Sequence, residues 1–175
     1  MYKLYESRTI IDNYEEFLEH CSIAKDLIVD KVGEETTWTY SQYNTFNITS
    51  SSHLFYDLFK ELNYVIRDYI QNDSTRIWMQ SWMNFHTEDK VLNWHGHDWP
   101  FHGYICVDPK KSKTIFTDWE IENKVGQIYI GPGTIDGKNQ HKVEVLEPYE
   151  GERITIGFDC SLDASVLRDN LIPIL

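Results

Sequence analysis

Residues 126–159 read GQIYIGPGTIDGKNQHKVEVLEPYEGERITIGFD, and their pattern is the most informative part of the chain about its fold. Three short runs of alternating or clustered apolar side chains are separated by turn signals at 131–133, 136–137 and 148–151. Runs bounded in this way are typical of β-strands. The pattern extends back to residue 76 through RIWMQSWMNF, VLNWHGH, GYICVD and KTIFTDWEI. At least six short strands at this spacing predict a β-sandwich or barrel of jelly-roll type.

Helical spacing replaces the strand pattern near the N-terminus. Apolar residues recur at helical intervals over residues 13–22, and the predicted helix extends to about residue 30. Asp12 and Glu15 resemble a capping pair at its start, and Gly33 is expected to end it.

A second amphipathic helix follows a run of serines. The hydroxyls of residues 50–52 offer N-caps, and helical spacing continues to about residue 71. Residues 34–49, between the two helices, suit a strand or an ordered loop. We therefore expect a mainly β chain with N-terminal helices that cover one outer sheet face. The predicted organisation is a single domain, 1–175, with a helical front over 1–75, a β core over 76–160 and a C-terminal tail over 161–175.

Charge and cysteine content restrict the class of protein. The 175 residues include 16 Lys and Arg against 28 Asp and Glu, a formal charge of −12. This balance argues against a wide nucleic-acid interface and against binding to anionic membranes. The three cysteines form no CxxC pair, and no apolar run approaches about 18 residues. The expectation is a soluble cytoplasmic protein without nucleic-acid or membrane partners.

Three histidines are candidate metal ligands. His95 and His97 are separated by one residue, so on a strand both rings would face the same side. His141 begins the run HKVEVL and could supply a third imidazole, a donor that suits borderline metals. The alternatives are a solvated strand end for the pair and a structural role for His141. His102 either lines the same pocket or serves as a structural hydrogen-bonder.

Arg153 and Thr155 form a candidate carboxylate cradle. They lie two residues apart, so on a strand they share one face and offer a bidentate fork and a hydroxyl donor. If the strands of His141 and Arg153 are neighbours joined by the turn at 148–151, the two residues lie roughly 16 Å apart along the ladder. The alternative is a surface arginine paired with Glu144 or Glu152.

Taken together, these motifs resemble the Fe(II)/2-oxoglutarate-dependent oxygenase superfamily. Members carry HxD or HxE on a double-stranded β-helix, then a distal His, then an Arg two residues before a Ser or Thr. The resemblance covers roughly residues 76–160 and is closest to a phage and marine-bacterial branch. That branch has HxH, a SGVYYV-like strand, HxV and RISIxF. The matching segments here are HGH at 95–97, HGYICV at 102–107, HKV at 141–143 and RITIGFD at 153–159.

One departure from the superfamily pattern concerns the metal carboxylate. His97 stands where the Asp or Glu is usual, and Asp98 follows one residue later. Either His97 is a ligand in an all-histidine site, or the strand bulges and Asp98 binds instead.

The resemblance implies a double-stranded β-helix (jelly roll) core flanked by α-helices and an oxygenase activity. Fe(II) would bind His95, His97 and His141, and 2-oxoglutarate would contact Arg153, Thr155 and Tyr104. With O₂ as co-substrate, a C–H bond of a protein side chain or small metabolite would be hydroxylated. The cytoplasm would be that of the host if a phage encodes the protein. The helical front would shape substrate access or a homodimer face.

Two other classes of protein remain open. A cupin also carries HxH on a β-barrel, but it has a Glu shortly after the pair and no need of Arg153. A non-catalytic jelly-roll protein would hold no metal or only a structural one.

Overall fold

Two antiparallel β-sheets face each other in this computed structural model, which describes residues 1–72, 74–162 and 170–174. Within those ranges, one sheet has six strands in the order β1-β6-β3-β8-β2-β9 and the other has three in the order β5-β4-β7. The strands are β1 (Lys3–Glu6), β2 (Ile77–His86), β3 (Phe101–Asp108), β4 (Ser112–Phe116), β5 (Glu120–Glu122), β6 (Gln127–Pro132), β7 (His141–Val145), β8 (Arg153–Ser161) and β9 (Ile172–Ile174).

Alternation along the central strands divides the interior into two parts. In β3, Ile105 and Val107 belong to the larger apolar cluster, while Tyr104 and Cys106 belong to a smaller one. Successive side chains of a strand point to opposite faces, so the larger cluster lies between the six-stranded sheet and the helices. The other face of the same sheet is turned toward the three-stranded sheet. It carries polar residues as well as aromatic ones.

Four α-helices cover the outer face of the six-stranded sheet. They are α1 (Arg8–Asp12), α2 (Tyr14–Val32), α3 (Thr45–Ile48) and α4 (His53–Ile70). Burial of Phe17 in α2 against Phe55 in α4, with ring centroids 5.0 Å apart, joins the two long helices. The prediction of a mainly β chain with N-terminal helices is confirmed. None of the helices in the described ranges has the length and apolar character that a bilayer crossing requires.

The helix ends agree with the sequence in part. The Ser52 side chain accepts a hydrogen bond from the Phe55 N–H, as expected of an N-cap, and α4 ends at Ile70 before Gln71 in a left-handed conformation. The predicted capping pair at the start of α2 is wrong, because Asn13 occupies the cap position and its side chain makes no capping bond. Asp73 lies outside the described residues.

Several other elements differ from the predictions. Residues 34–49 form an ordered loop that contains a short 3₁₀ turn at 40–42 and α3, and they contain no strand. The run KTIFTDWEI divides into β4 and β5, since the chain bends at 117–118. The predicted C-terminal tail includes β9, which pairs with β2, while residues 163–169 and 175 of that tail lie outside the described residues.

The run VLNWHGH is not a regular strand, although it lies beside β7. Leu92 accepts a backbone hydrogen bond from Val143, and His95 exchanges two with His141. A bend at Trp94 interrupts the ladder between these contacts. The expectation that the rings of His95 and His97 face the same side assumed a regular strand, and therefore it does not apply directly.

The predicted pairing of the last two long strands is wrong. β7 pairs with β4 in the small sheet, whereas β8 lies between β2 and β3 in the large sheet. The connection at 146–152 crosses from one sheet to the other. His141 and Arg153 therefore lie on different sheets, and both line the cavity between the sheets. The expected separation of roughly 16 Å between His141 and Arg153 assumed neighbouring strands of one sheet, so it does not apply.

Candidate metal centre

A cavity of about 150 Å³ lies between the two sheets and contains the candidate site. Both sheets and the irregular segment at 91–99 line it. His95, His97 and His141 lie on its wall, together with Arg153 and Thr155. The structure thus brings together residues from three distant parts of the sequence.

The three candidate imidazoles form one cluster. His141 is the first residue of β7, and the backbones of His95 and His141 exchange hydrogen bonds of 3.0 and 2.9 Å. Their ring centroids are 4.3 Å apart, and His97 lies 5.4 Å from His95 and 5.3 Å from His141. One ligand nitrogen from each ring lies within 4.8 Å of the other two. This arrangement fits three nitrogen ligands of one metal ion.

One nitrogen of each of two rings lies close to an oxygen, through a hydrogen bond for His95 and through an ion-pair contact for His97. His95 Nδ1 lies 2.7 Å from the Asn93 carbonyl oxygen, which can only accept, so Nδ1 carries the proton. His97 Nδ1 lies 2.8 Å from Asp159 Oδ1. A ring that donates from Nδ1 presents the Nε2 lone pair, and such outer partners are typical of metal-binding histidines.

Thr134 holds the backbone of His97. The Thr134 N–H donates to the His97 carbonyl at 2.7 Å, and Thr134 Oγ1 accepts from the His97 N–H at 3.0 Å. A Cβ at Gly96 would collide with the Thr134 side chain, so the approach requires glycine. The GPGT turn, which the sequence marks only as a turn, is therefore part of the site.

A second group of possible ligands shares His97. Ligand atoms of His97, His102 and Asp159 also lie within 4.8 Å of one another. The His102 ring stacks on the His97 ring at 4.2 Å, and its buried Nε2 has no hydrogen-bond partner among the described residues. Asp98, in contrast, is exposed at the cavity mouth and belongs to neither group.

Burial favours the neutral form of His95, His102 and His141. Desolvation lowers the pKa of His95, and it lowers the pKa values of His102 and His141 well below the ordinary histidine value. Neighbouring imidazoles act in the same direction on each of these rings. Neutral imidazole is the form that binds metals.

Arg153 is a buried cation without an acidic partner. Only 2% of the residue is exposed, its Nε donates to Ser112 Oγ at 3.2 Å, and its Nη1 has no hydrogen-bond partner among the described residues. None of the ion pairs in the described ranges includes it. Burial lowers the pKa of the guanidinium, which nevertheless stays charged at neutral pH.

The surface pairing considered for Arg153 is wrong. Glu144 contacts Lys113 at 3.3 Å, and Glu152 contacts Lys25 at 2.7 Å. An unpaired buried cation costs several kcal/mol, which a bound anion would offset. The cavity therefore has the electrostatic character of an anion site beside the imidazoles.

Neutral polar side chains complete this part of the cavity. Ser112 Oγ accepts from Arg153 and Asn123 and donates to the Pro109 carbonyl, so its hydrogen-bonding capacity is used. Thr155 Oγ1 accepts from Asn84 Nδ2 at 3.0 Å, which leaves its O–H free to donate to a ligand. The Tyr104 hydroxyl is buried on the same wall.

Aromatic side chains form the opposite wall and the mouth of the cavity. The Trp82 ring stacks beside His97 with centroids 5.8 Å apart, and a Cβ at Gly157 would lie 2.5 Å from that ring. Trp38, Tyr40 and Trp99 also line the cavity. These walls would restrict water near a bound metal.

Comparisons with known proteins support the fold. Neither protein-family models nor curated proteins match the sequence. Among solved structures, a viral collagen prolyl hydroxylase from Paramecium bursaria Chlorella virus-1 aligns with a TM-score of 0.60 and 12% identity, over 91% of this chain and 88% of that one. The chain therefore shares the fold of that protein, and the predicted jelly-roll core flanked by helices is confirmed.

Two more distant structures align less well. A cupin-2 domain protein from Shewanella frigidimarina has a TM-score of 0.35 and 18% identity, over 46% of this chain and 69% of its own. A salicylate 1,2-dioxygenase variant from Pseudoaminobacter salicylatoxidans has a TM-score of 0.35 and 7% identity, over 70% and 37%. Scores at this level do not establish a common fold.

Proposed function

We propose that the chain is an Fe(II)- and 2-oxoglutarate-dependent oxygenase. The observation that carries the proposal is the juxtaposition, in one cavity, of three clustered imidazoles and a buried arginine without an acidic partner. The fold shared with a viral collagen prolyl hydroxylase is compatible with such an activity, and the sequence motifs agree with it. The substrate is proposed only as a C–H bond of a protein side chain or a small metabolite.

The donor atoms fit a ferrous ion. His95, His97 and His141 would be the ligands, since all three present nitrogens within 4.8 Å of one another. Imidazole suits Fe(II), and three protein ligands leave positions for a chelating co-substrate and O₂. Asp159 would orient His97 and supply a negative charge close to the ion without binding it.

The opposite part of the cavity fits a dicarboxylate. The unpartnered Nη1 of Arg153 and the free O–H of Thr155 are donors that a carboxylate can accept from, and the Tyr104 hydroxyl is a third donor nearby. A charged acceptor gives each of these bonds more strength than a neutral one. The far carboxylate of 2-oxoglutarate would occupy this pocket.

The residues of the chain would act mainly by binding the metal and the co-substrate and by excluding water. When bound together, Fe(II) and 2-oxoglutarate supply oxidative chemistry with O₂ that yields succinate, CO₂ and a hydroxylated product. Arg153 and Thr155 would fix the orientation of the co-substrate, while the aromatic walls exclude water. The mouth formed by Trp38, Tyr40 and Trp99 would admit the substrate.

A metal-binding jelly-roll protein without turnover is the second candidate. The all-nitrogen ligand set, in which His97 replaces the usual carboxylate, favours it. We also propose that the protein is cytoplasmic, that it has no nucleic-acid partner and that its helices form a homodimer face.

Succinate release separates the two candidates. The purified chain, supplied with Fe(II), 2-oxoglutarate and O₂, is expected to release succinate even without substrate. His141→Ala should abolish the release, and Arg153→Ala should raise the KM for 2-oxoglutarate. The matched control is Lys111→Ala, which alters an exposed residue outside the cavity. Bound metal without succinate release would support the non-catalytic candidate and contradict the oxygenase.

A further inference from the structure

A second cluster of metal-ligating side chains lies on the helical layer. Glu16 and His20 are one turn apart on α2, and His53 is the first residue of α4. One ligand atom from each residue lies within 4.8 Å of the other two, and none of the three residues lines the cavity. We propose that this cluster is a Zn(II) site that joins α2 to the start of α4.

The distances are close to those of a tetrahedral site. Glu16 Oε1 lies 3.6 Å from His53 Nε2 and 4.0 Å from His20 Nε2. Ligands about 2.1 Å from a tetrahedral zinc ion lie about 3.4 Å from one another. Both distances to Glu16 exceed that separation by less than 1 Å, and the two imidazole ligand atoms lie within 4.8 Å of each other.

One ring of the cluster is already oriented. His20 Nδ1 lies 2.6 Å from Ser52 Oγ, the same oxygen that accepts the capping hydrogen bond from Phe55. With Nδ1 bonded to this hydroxyl, Nε2 faces Glu16. An outer hydrogen bond of this kind fixes the orientation of a ligating imidazole. The capping serine of α4 thus also positions a zinc ligand.

The donor set indicates the kind of ion. Two imidazoles and one carboxylate are a common zinc set, with a fourth position left for water. The Glu16 and His53 side chains are 51% and 66% exposed, so an ion can reach them from solvent. Without metal the same contacts are ion pairs that form only when a histidine is protonated.

A bound ion would stabilise the packing of the two long helices. Phe17 and Phe55 are neighbours of the cluster in sequence, and their buried rings join α2 to α4. An ion that binds only the folded chain raises the free energy of unfolding with its concentration. Zinc binding at this site is therefore expected to stabilise the contact between α2 and α4.

Zinc titration by calorimetry and metal analysis tests the proposal. The native chain should bind one zinc ion more than His53→Ala, and Glu16→Gln should weaken that site by more than about tenfold. Glu19→Gln, an exposed acid on the same helix, is the matched control and should bind as the native chain does. In His141→Ala, which lacks one ligand of the cavity, zinc should still raise the melting temperature.

The opposite results would overturn the proposal. The proposal would be wrong if His53→Ala and Glu16→Gln both bound zinc with the stoichiometry and affinity of the native chain. Because these substitutions lie outside the cavity, the outcome is independent of whether the proposed oxygenase function holds.

Discussion

Arg153 shows how one residue can be unfavourable for folding and favourable for binding. Its guanidinium is buried, and its Nη1 has no partner among the described residues. A ligand carboxylate would supply the missing charge and the missing acceptor together. Under the proposed function, binding of the co-substrate would offset the cost of the buried cation.

Replacement of Arg153 by methionine should separate these two effects. We expect Arg153→Met to raise the free energy of unfolding of the metal-free chain by about 1 kcal/mol, since it removes an unpaired buried charge. The same variant should bind 2-oxoglutarate about 10- to 100-fold more weakly, because a charged hydrogen-bonding partner is lost. Urea denaturation and calorimetry measure the two quantities, with Lys111→Met as the exposed control. Loss of stability with unchanged affinity would refute this interpretation.

Asp159 should act on the metal through His97. Because its carboxylate lies 2.8 Å from His97 Nδ1, we expect Asp159→Ala to weaken Fe(II) binding about 10- to 100-fold. Asp159→Asn should have a smaller effect, since an amide oxygen can still accept from Nδ1. Fe(II) binding under anaerobic conditions measures the change.

A substitution at His102 distinguishes the two possible ligand sets. His102→Ala should retain metal binding if His95, His97 and His141 are the ligands. Loss of binding in His102→Ala, together with binding retained in His95→Ala, would instead assign the ion to His97, His102 and Asp159.

The segment that carries His95 and His97 depends on its contacts with neighbouring elements. Thr134 bonds both the N–H and the carbonyl of His97, and β7 bonds the backbone of His95. Thr134→Val removes the acceptor and should cost about 1 kcal/mol of stability and weaken metal binding. Thr134→Ser keeps the hydroxyl and should bind metal as the native chain does. Equal metal affinities in the two variants would show that this contact does not position His97.

The strands of the core could be predicted because each has its own local signal. Alternation in RITIGFD places Arg153 and Thr155 on the cavity face, and the structure agrees. The same alternation places Asp159, the last residue of this motif, on the cavity face. Sequence reasoning missed its contact with His97 because the two residues are far apart in the sequence. The pairing of β7 and β8 was mispredicted, since a turn signal does not show whether the chain returns in the same sheet or crosses to the other.

The backbone contacts that place His95 and His97 beside each other could not be predicted from the local sequence pattern. The pattern predicted a strand, whereas the structure has an irregular segment held by the GPGT turn and by β7. Contacts between residues about 40 positions apart have no local signal, because they depend on how the sheets are assembled. The clustering of the three histidines was therefore easier to predict than the backbone that brings them together.

The whole molecule contains several histidines that are buried in the neutral form. Burial lowers the pKa of His86 to about 4, and it also lowers the pKa values of His102 and His141 well below the ordinary value near 6.5. Below that value the unfolded chain binds more protons than the folded chain. The free energy of unfolding of the metal-free protein should therefore fall as the pH is lowered from about 6.5 toward 4.

A single substitution should reduce this acid sensitivity. His86 lies outside the candidate ligand sets and contacts Thr37 Oγ1 at 2.9 Å. We expect His86→Gln to lower the slope of unfolding free energy against pH by up to one proton, about 1.4 kcal/mol per pH unit. Urea denaturation of the metal-free protein between about pH 7 and pH 5 measures the slope. A slope equal to that of the native chain would show that His86 is not a buried neutral histidine.

The arrangement of layers explains why the site lies where it does. Helices cover the outer face of the six-stranded sheet and bury its apolar side chains, while the polar face is enclosed by the three-stranded sheet. Between the sheets, imidazoles, a buried cation and aromatic walls meet in one cavity. The central claim is that these groups bind one ferrous ion and one 2-oxoglutarate together.

Anaerobic titration with Fe(II) and 2-oxoglutarate tests this claim most directly, because the chelated keto acid gives a metal-to-ligand charge-transfer band in the visible spectrum. The account predicts that the native chain develops the band, that His141→Ala does not, and that Arg153→Ala needs more 2-oxoglutarate to reach it. Absence of the band from the native chain, or a band unchanged in both variants, would contradict the account.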